Sequence, residues 1–168
     1  IRAKVRELMM EEMNSPEITG RNLVITDVIV KYVMKTLERD MELIKEARKD
    51  SFEILGLEER LGCNVDGFSI KGFVDRIDSF APDSIRVVDY KTGKVLPEDM
   101  EIAEGNHAKT VEAIFGDMPY GKKPKIAFQL FIYDLLLERN GLASGKRVVN
   151  SVYSTAKLFS EPPAEVEV

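Results

Sequence analysis

The chain has 168 residues, of which 44% are hydrophobic and 32% are charged, as in an ordinary globular domain. No apolar run approaches the length of a membrane span, and the N-terminus has no signal-peptide pattern. We therefore expect a cytoplasmic protein with a single domain over residues 1–168. The formal net charge of −5 argues against strong non-specific binding of nucleic acid by this domain alone, but it leaves room for a local basic track.

The single cysteine and the single histidine limit the metal chemistry of the chain. One cysteine, Cys63, excludes an intramolecular disulfide and a four-cysteine iron–sulfur cluster built from this chain alone. One histidine, His107, excludes a histidine-rich zinc site. The Gly-Asn-His-Ala context of His107 favours a loop or surface histidine over a metal ligand.

The predicted elements run in the order helices, three strands, helices and a final strand. Helical spacing of apolar residues predicts helices over residues 1–13 and 24–47. Strands are predicted over residues 52–65, 68–80 and 85–91, and the dipeptide Asp66-Gly67 predicts a two-residue hairpin between the first two. Residues 96–120 are the least decided segment, with a helix start at 97–99 and a short helical pattern at 109–115. This order predicts a mixed sheet flanked by helices.

The last third of the chain is predicted to hold a buried helix and a strand. Residues 126–138 are apolar on almost all sides, so the helix should be largely buried. A strand is predicted over residues 147–159, and Pro162 and Pro163 with their acidic neighbours indicate a frayed tail or a linker. The basic turn at residues 119–125 favours a solvated surface over a phosphate contact.

Two of the predicted strands carry carboxylates inside apolar runs. Alternation along a strand places Asp89 and Lys91 on one face, and it places Arg76 and Asp78 on the face opposite Asp75. A buried carboxylate is costly unless it is paired or holds a metal ion. An acid and a lysine two residues apart can hold a cation and contact what the cation binds. Because Arg76 and Asp78 face away from Asp75, we interpret them as a structural ion pair or as surface charges.

Glu58 is a candidate third carboxylate of this site. If the hairpin is regular, Val65 faces Phe68, and counting back places Glu58, rather than Glu59, opposite Asp75. Two bare carboxylates about 5 Å apart would repel by roughly 3 kcal/mol at an effective dielectric constant near 20. A divalent cation would turn that repulsion into coordination.

The turn at residues 81–84 decides whether the two aspartates meet, and the sequence leaves two arrangements open. A regular four-residue loop would pair Phe80 with Ile85 and put Asp75 opposite Tyr90, so that Asp75 and Asp89 face opposite sides of the sheet. A three- or five-residue loop, or a bulge, would put them on one side. The metal-site hypothesis requires the second arrangement.

The helix at residues 126–138 presents two polar side chains on one face. Gln129 and Tyr133 are four residues apart and therefore neighbours on a helix surface. A buried glutamine must find hydrogen-bond partners. Taken alone, the pattern favours a bond to backbone and a role in the site equally.

Three motifs in this order resemble the PD-(D/E)xK nuclease superfamily, with RecB/AddB-type nuclease domains as the most similar branch. They are Gly72-Phe-Val-Asp75-Arg-Ile-Asp78, Val88-Asp89-Tyr90-Lys91-Thr-Gly93 and Gln129-Leu-Phe-Ile-Tyr133, and the similarity covers residues 52–159. The resemblance implies an α/β fold with a restriction-endonuclease-like αβββαβ core and a mixed central sheet flanked by helices.

The resemblance also implies the roles of the motif residues. Asp75 and Asp89 would hold Mg²⁺ or Mn²⁺, with the Tyr90 backbone carbonyl completing the shell, and Glu58 is a further candidate ligand. Lys91 would be the catalytic lysine, and Gln129 and Tyr133 would shape the DNA side of the site. An iron–sulfur cluster, which some relatives carry, has no ligands within this chain. The metal-binding histidine often found on an N-terminal helix of the family has no counterpart in the N-terminal helices.

The implied function is metal-dependent hydrolysis of DNA. We expect an exonuclease module in double-strand-break repair or recombination, with a helicase domain or subunit as partner. Because the chain begins with Ile1 rather than Met, we expect a piece excised from a longer helicase-associated or DNA-repair protein. One alternative is a catalytically inactive nuclease-fold module that binds DNA or a helicase. Another is a plain globular domain whose strand carboxylates form salt bridges, but it leaves the joint occurrence of the three motifs unexplained.

Overall fold

A computed structural model of the chain describes residues 1–100, 111–112, 114–116, 124–159 and 164–166. The predictions for His107 and for most of the basic turn at residues 119–125 lie outside the described residues. The elements used below are the helices α1 (Arg2–Glu12), α2 (Arg21–Glu46), α3 (Pro97–Met100) and α4 (Lys125–Arg139), and the strands β1 (Glu53–Val65), β2 (Phe68–Ala81), β3 (Ser84–Lys91), β4 (Arg147–Ser154) and β5 (Ala164–Val166). Among these residues, no helix has both the length and the apolar character needed to cross a bilayer.

The strands form one mixed sheet in the order β1-β2-β3-β4-β5. The β3–β4 pair is parallel and the other three pairs are antiparallel. A parallel pair needs a long crossover, and the segment that contains α3 and α4 supplies it between β3 and β4. The predicted mixed sheet and αβββαβ order are confirmed, with α2, β1–β3, α4 and β4 as the core elements.

Helix α4 covers one face of the sheet and builds the main core there. Its buried residues pack with apolar side chains of β2, β3 and β4, in the cluster that includes Val74, Ile77, Ile85, Val87, Ile126, Leu130, Leu136, Leu137 and Val152. Burial around most of the helix is as predicted. At Gly72 the helix comes so close to β2 that an added Cβ would lie 2.9 Å from a methyl group of Leu136. A side chain at Gly72 would therefore force Leu136 to shift.

Helix α2 is attached to the other face through a buried network of charges. Asp40 of α2 accepts hydrogen bonds from both terminal nitrogens of Arg76, at 2.8 and 3.0 Å. Arg76 Nε donates to Asp78 (2.7 Å), and Arg86 donates to both oxygens of Asp78 (2.9 and 2.7 Å). All four residues are buried. The predicted ion pair of Arg76 with Asp78 is therefore present, and it lies in the interior rather than at the surface.

The last predicted strand is too long, because β4 ends at Ser154 rather than at residue 159. The chain turns there: Lys157 N–H donates to the carbonyl of Ser154 at 3.1 Å, and Thr155 N–H donates to the carbonyl of Lys91 at 2.9 Å. The apolar Leu158, which made the pattern look like a strand, is buried beside Val88 and Tyr153 instead.

The prediction of a frayed tail or linker is wrong for residues 164–166. They form β5, which pairs antiparallel with Asn150, Ser151 and Val152 of β4. Without β5, the backbone N–H and C=O groups on that edge of β4 would be left unpaired. Pro162 and Pro163 lie outside the described residues.

A polar pair, the half-buried Asp134 and the buried Asn150, links α4 to β4. Asn150 Nδ2 lies 3.1 Å from each carboxylate oxygen of Asp134 and donates to them. Burial raises the pKa of Asp134 to about 6, against the opposing effect of this hydrogen bond. Asn150 Oδ1 is buried and accepts no hydrogen bond from the described residues. An ionised Asp134 has no proton to donate to Asn150 Oδ1, whereas a protonated Asp134 can donate one.

The substitution Asp134→Asn is expected to stabilise the protein at pH 8 and to have less effect at pH 4.5. The folded-state pKa lies above the unfolded value of 3.8, so Asp134 favours folding below pH 4 and this contribution is lost as the pH rises through 6. An amide removes this pH dependence and can donate to Asn150 Oδ1. Since Asp134 is partly exposed, we expect a gain of about 1–2 kcal/mol at pH 8. Urea denaturation at both pH values measures it. Asp83→Asn, at an exposed turn carboxylate, is the control, and an equal gain at both pH values would contradict the explanation.

Candidate active site

The two motif aspartates lie opposite each other on neighbouring strands. The register of β2 and β3 pairs Arg76 with Val88 and continues regularly to Asp78. Extended by one residue from Arg76 in the opposite direction, the same register places Asp75 opposite Asp89. Both carboxylates therefore belong to one face of the sheet. This is the arrangement that a shared metal site requires.

A bulge near the turn produces this register. The pairing shifts between Asp78 and Ala81, and Ala81 pairs with Ser84 across a two-residue turn. Ser79 Oγ lies within hydrogen-bond distance of the carbonyl oxygens of Ala81 (2.7 Å) and Ser84 (2.9 Å) and holds the irregular segment. Of the two arrangements that the sequence left open, the bulge is therefore the one adopted.

Each aspartate is held differently. Asp75 is partly buried, and its Oδ2 accepts a hydrogen bond from the backbone N–H of Tyr90 at 2.8 Å. Asp89 is 1% exposed. Its Oδ2 is buried and accepts no hydrogen bond of normal geometry from the described residues, although the ammonium of Lys91 lies 2.7 Å away as an ion pair.

Gln129 connects the helix to the strand residues. Its Oε1 accepts a hydrogen bond from Lys91 Nζ at 2.6 Å, and its Nε2 donates to Asp89 Oδ1 at 3.2 Å and to the hydroxyl of Tyr133. The glutamine therefore bonds to side chains of the site rather than to backbone. Lys91 is held between Gln129 and Asp89, and its position depends on the docking of α4.

The electrostatics of the site reflect burial and like charge. Burial raises the pKa of Asp89, the ion pair with Lys91 lowers it, and the nearby charge of Asp75 raises it again. Burial also raises the pKa of Tyr133 to about 12, so its phenol stays protonated at neutral pH. The site thus holds two close carboxylates with one ammonium to balance them.

Glu58 is not brought to this pair. The register on either side places it opposite Asp75, as predicted, but its φ of 50° is left-handed and the residue is exposed. Among the described residues, no group of three or more histidine, cysteine, aspartate or glutamate side chains is close enough to hold a metal ion. The structure thus assembles Asp75, Asp89, Lys91, Gln129 and Tyr133, and the role of Glu58 as a ligand stays a prediction.

One residue beside the site had no signal in the sequence. Ser154, the last residue of β4, is the direct partner of Lys91 in the parallel β3–β4 ladder. The register of parallel strands depends on how a long crossover packs, and no local turn encodes it. A serine at the end of an apolar strand is otherwise unremarkable in the sequence.

The model of the PD-(D/E)XK nuclease superfamily matches residues 1–167. The chain belongs to this superfamily. Its mixed sheet flanked by helices is consistent with the restriction-endonuclease-like fold that the sequence predicted. No curated protein and no solved structure matched the chain in the same comparisons.

Nucleases of the PD-(D/E)XK superfamily typically use divalent metal ions, and the described residues fit one. Carboxylate oxygens suit Mg²⁺, which commonly takes only one or two carboxylates and completes its shell with waters and substrate phosphate. Asp75 and Asp89 supply two, and the buried Asp89 Oδ2 accepts no hydrogen bond of normal geometry from the described residues, so a cation would compete there with the Lys91 ion pair. A pair of carboxylates is therefore enough, even without Glu58.

Proposed function

We propose that this chain hydrolyses phosphodiester bonds of DNA with the help of Mg²⁺ or Mn²⁺. The observation that carries the proposal is the register that sets Asp75 directly opposite Asp89, with the Lys91 ammonium 2.7 Å from Asp89. Asp75, Asp89 and the Tyr90 carbonyl would hold the ion. When bound, such an ion supplies an acidified water and positive charge beside the phosphate.

Lys91 would contact the attacking water or the scissile phosphate. A preorganised cation aimed at developing negative charge stabilises a transition state without having to reorganise during the reaction. Gln129 holds the ammonium from the side of α4, and its bond to Asp89 fixes the carboxylate at the same time. The Tyr133 hydroxyl supports the amide of Gln129 and borders the side from which DNA would approach.

The wider setting follows from the motifs. The order of the three motifs supports a RecB/AddB-type domain, and such domains are commonly associated with helicases that process broken DNA. We therefore propose an exonuclease module of double-strand-break repair with a helicase partner. The acidic net charge favours such a partner, because a neighbouring domain can supply the basic track that the chain lacks overall.

A second candidate is a nuclease-fold module that binds DNA or a helicase without cutting. It is favoured by the limited ligand set, since only two carboxylates meet among the described residues. The presence of Lys91 in contact with both Asp89 and Gln129 favours the active enzyme. Cleavage that depends on Lys91 separates the two candidates.

Calorimetric titration with Mn²⁺ tests whether the carboxylate pair binds a cation. We expect saturable binding by the wild type and none by Asp89→Asn, because the variant loses the buried charge opposite Asp75. Asp83→Asn, the same change at an exposed turn residue, is expected to bind like the wild type. Absence of binding by the wild type would refute the metal-dependent proposal, and Glu58→Gln in the same assay decides whether Glu58 is a ligand.

A further inference from the structure

A buried hydroxyl without a partner lies beside the proposed catalytic lysine. Ser154 is 8% exposed, and its Oγ is buried and forms no hydrogen bond with the described residues. Such a group costs free energy unless it is satisfied, so its occurrence next to a site calls for an explanation. Its neighbour across the ladder is Lys91.

Alternation along β4 places this hydroxyl on the face that carries the site. Asn150 and Val152 face α4, since the former contacts Asp134 and the latter belongs to the core beneath the helix. Tyr153 points to the opposite face, where its hydroxyl donates to Asp40 at 3.3 Å. Ser154 therefore lies on the same face as Asn150 and Val152, as Lys91 does with Asp89 on β3.

The backbone holds Ser154 and Lys91 together at the carboxyl ends of the two parallel strands. The N–H of Thr155 donates to the carbonyl of Lys91 at 2.9 Å, directly after the last ladder pair. The separation of the two residues is thus set by main-chain hydrogen bonds, and side-chain substitutions at either position leave it in place.

A count of donors and acceptors points to a bond between the two side chains. A lysine ammonium has three N–H donors. Lys91 Nζ has two partners among the described residues, Gln129 Oε1 at 2.6 Å and Asp89 Oδ2 at 2.7 Å. Among the described residues, one donor of Lys91 and one acceptor of Ser154 thus have no protein partner, at positions that are direct neighbours across the ladder.

We propose that Ser154 is a positioning residue for Lys91, whose ammonium it holds when a divalent cation takes over Asp89. This inference rests on the proposed function. A cation held by Asp75 and Asp89 would compete with Lys91 for Asp89, and Lys91 would then lose its ion pair. Gln129 alone would then hold it through one hydrogen bond. The Ser154 hydroxyl accepts a second one and keeps the ammonium at the site.

A double-mutant cycle on Mn²⁺ affinity tests the proposal by calorimetry. We expect Ser154→Ala to weaken Mn²⁺ binding by about five- to tenfold, because the displaced ammonium loses its new partner; hydrogen bonds to charged groups are among the stronger ones. In the Lys91→Met background, Ser154→Ala is expected to change nothing. Ser154→Thr, which keeps the hydroxyl, should restore the affinity to within about twofold.

The chain offers a matched control in Ser151. It lies on β4, is fully buried, and its hydroxyl also lacks a partner among the described residues, but it faces away from α4. Ser151→Ala should leave Mn²⁺ affinity unchanged. If Ser154→Ala does not fold, Ser154→Cys, with its much weaker acceptor and similar size, is expected to show the same loss.

The outcomes separate this inference from the proposed function. Saturable Mn²⁺ binding that is equal in the wild type and Ser154→Ala would overturn the role of Ser154 and leave the metal site intact. If Ser154→Ala weakens Mn²⁺ binding equally in the wild-type and the Lys91→Met background, the role of Ser154 is merely structural. That result would overturn the inference as well. Absence of Mn²⁺ binding by the wild type would overturn the metal site and the inference together.

Discussion

The substitution Lys91→Met is expected to lower DNA cleavage by about 10²–10³-fold while Mn²⁺ binding is retained. Methionine keeps the length and apolar stem of the lysine but removes the ammonium that contacts Asp89 and Gln129. The loss of a fixed positive charge should act on the transition state. Mn²⁺ affinity should stay the same or rise, because the cation no longer competes with Lys91 for Asp89.

Single-turnover cleavage of fluorescently labelled single- and double-stranded oligonucleotides measures this effect. Lys71→Met, which removes an exposed lysine from β2, is the matched control and should cleave like the wild type. Asp89→Asn should lose both cleavage and Mn²⁺ binding. Cleavage by the wild type that survives in Lys91→Met would contradict the assigned role of Lys91, and cleavage by neither would favour the non-cutting module.

The substitution Asp40→Ala is expected to destabilise the protein by about 3–5 kcal/mol, the range for breaking a buried ion pair by removing one partner. Arg76 and Arg86 would then share the single carboxylate of Asp78, and one buried positive charge would have no counterpart. Burial opposes the charged form of Arg76, yet its bonds to Asp40 and the charge of Asp78 raise its pKa. An arginine guanidinium does not lose its proton in proteins, so Arg76 stays charged in the variant as well and cannot escape the penalty.

Urea denaturation of Asp40→Ala and Asp27→Ala measures the difference between a buried and an exposed ion pair on one helix. Asp27 also lies on α2 and pairs with Arg2, but both side chains are more than half exposed. Its removal should cost no more than about 1 kcal/mol. Similar losses in the two variants would mean that the Asp40 network adds little to stability. Asp40→Asn, which keeps the shape, is the reserve variant if Asp40→Ala does not fold.

Local signals in the sequence were sufficient for the first hairpin. Asp66-Gly67 predicted a two-residue turn, and Val65 does pair with Phe68, with φ values of 49° and 87° at the two turn residues. The register then holds along β1 and β2 until it shifts between Ile54 and Gly56. A tight turn fixes the pairs that follow it as far as the next irregularity, which explains why counting back to Glu58 worked.

The features that the sequence did not predict depend on contacts between distant segments. Asp40 and Arg76 are 36 residues apart, and no pattern in a helix shows which of its acidic residues will meet an arginine on a strand. The bulge between Asp78 and Ala81 has no glycine to mark it. Residues 164–166 are too few to be recognised as a strand from the sequence, and they pair because β4 offers a free edge.

The charge balance of the site would couple the binding of a cation to the binding of nucleic acid. Asp75 and Asp89 contribute −2 and Lys91 contributes +1, so the uncomplexed site carries a formal charge of −1 and repels a phosphodiester. A divalent ion changes this charge to +1 and turns the repulsion into attraction. Under the proposed function, cation and nucleic acid would therefore strengthen each other's binding by the same factor. If the proposed function holds, the concentration of free metal ions would govern how tightly the protein holds DNA, as well as how fast it cuts.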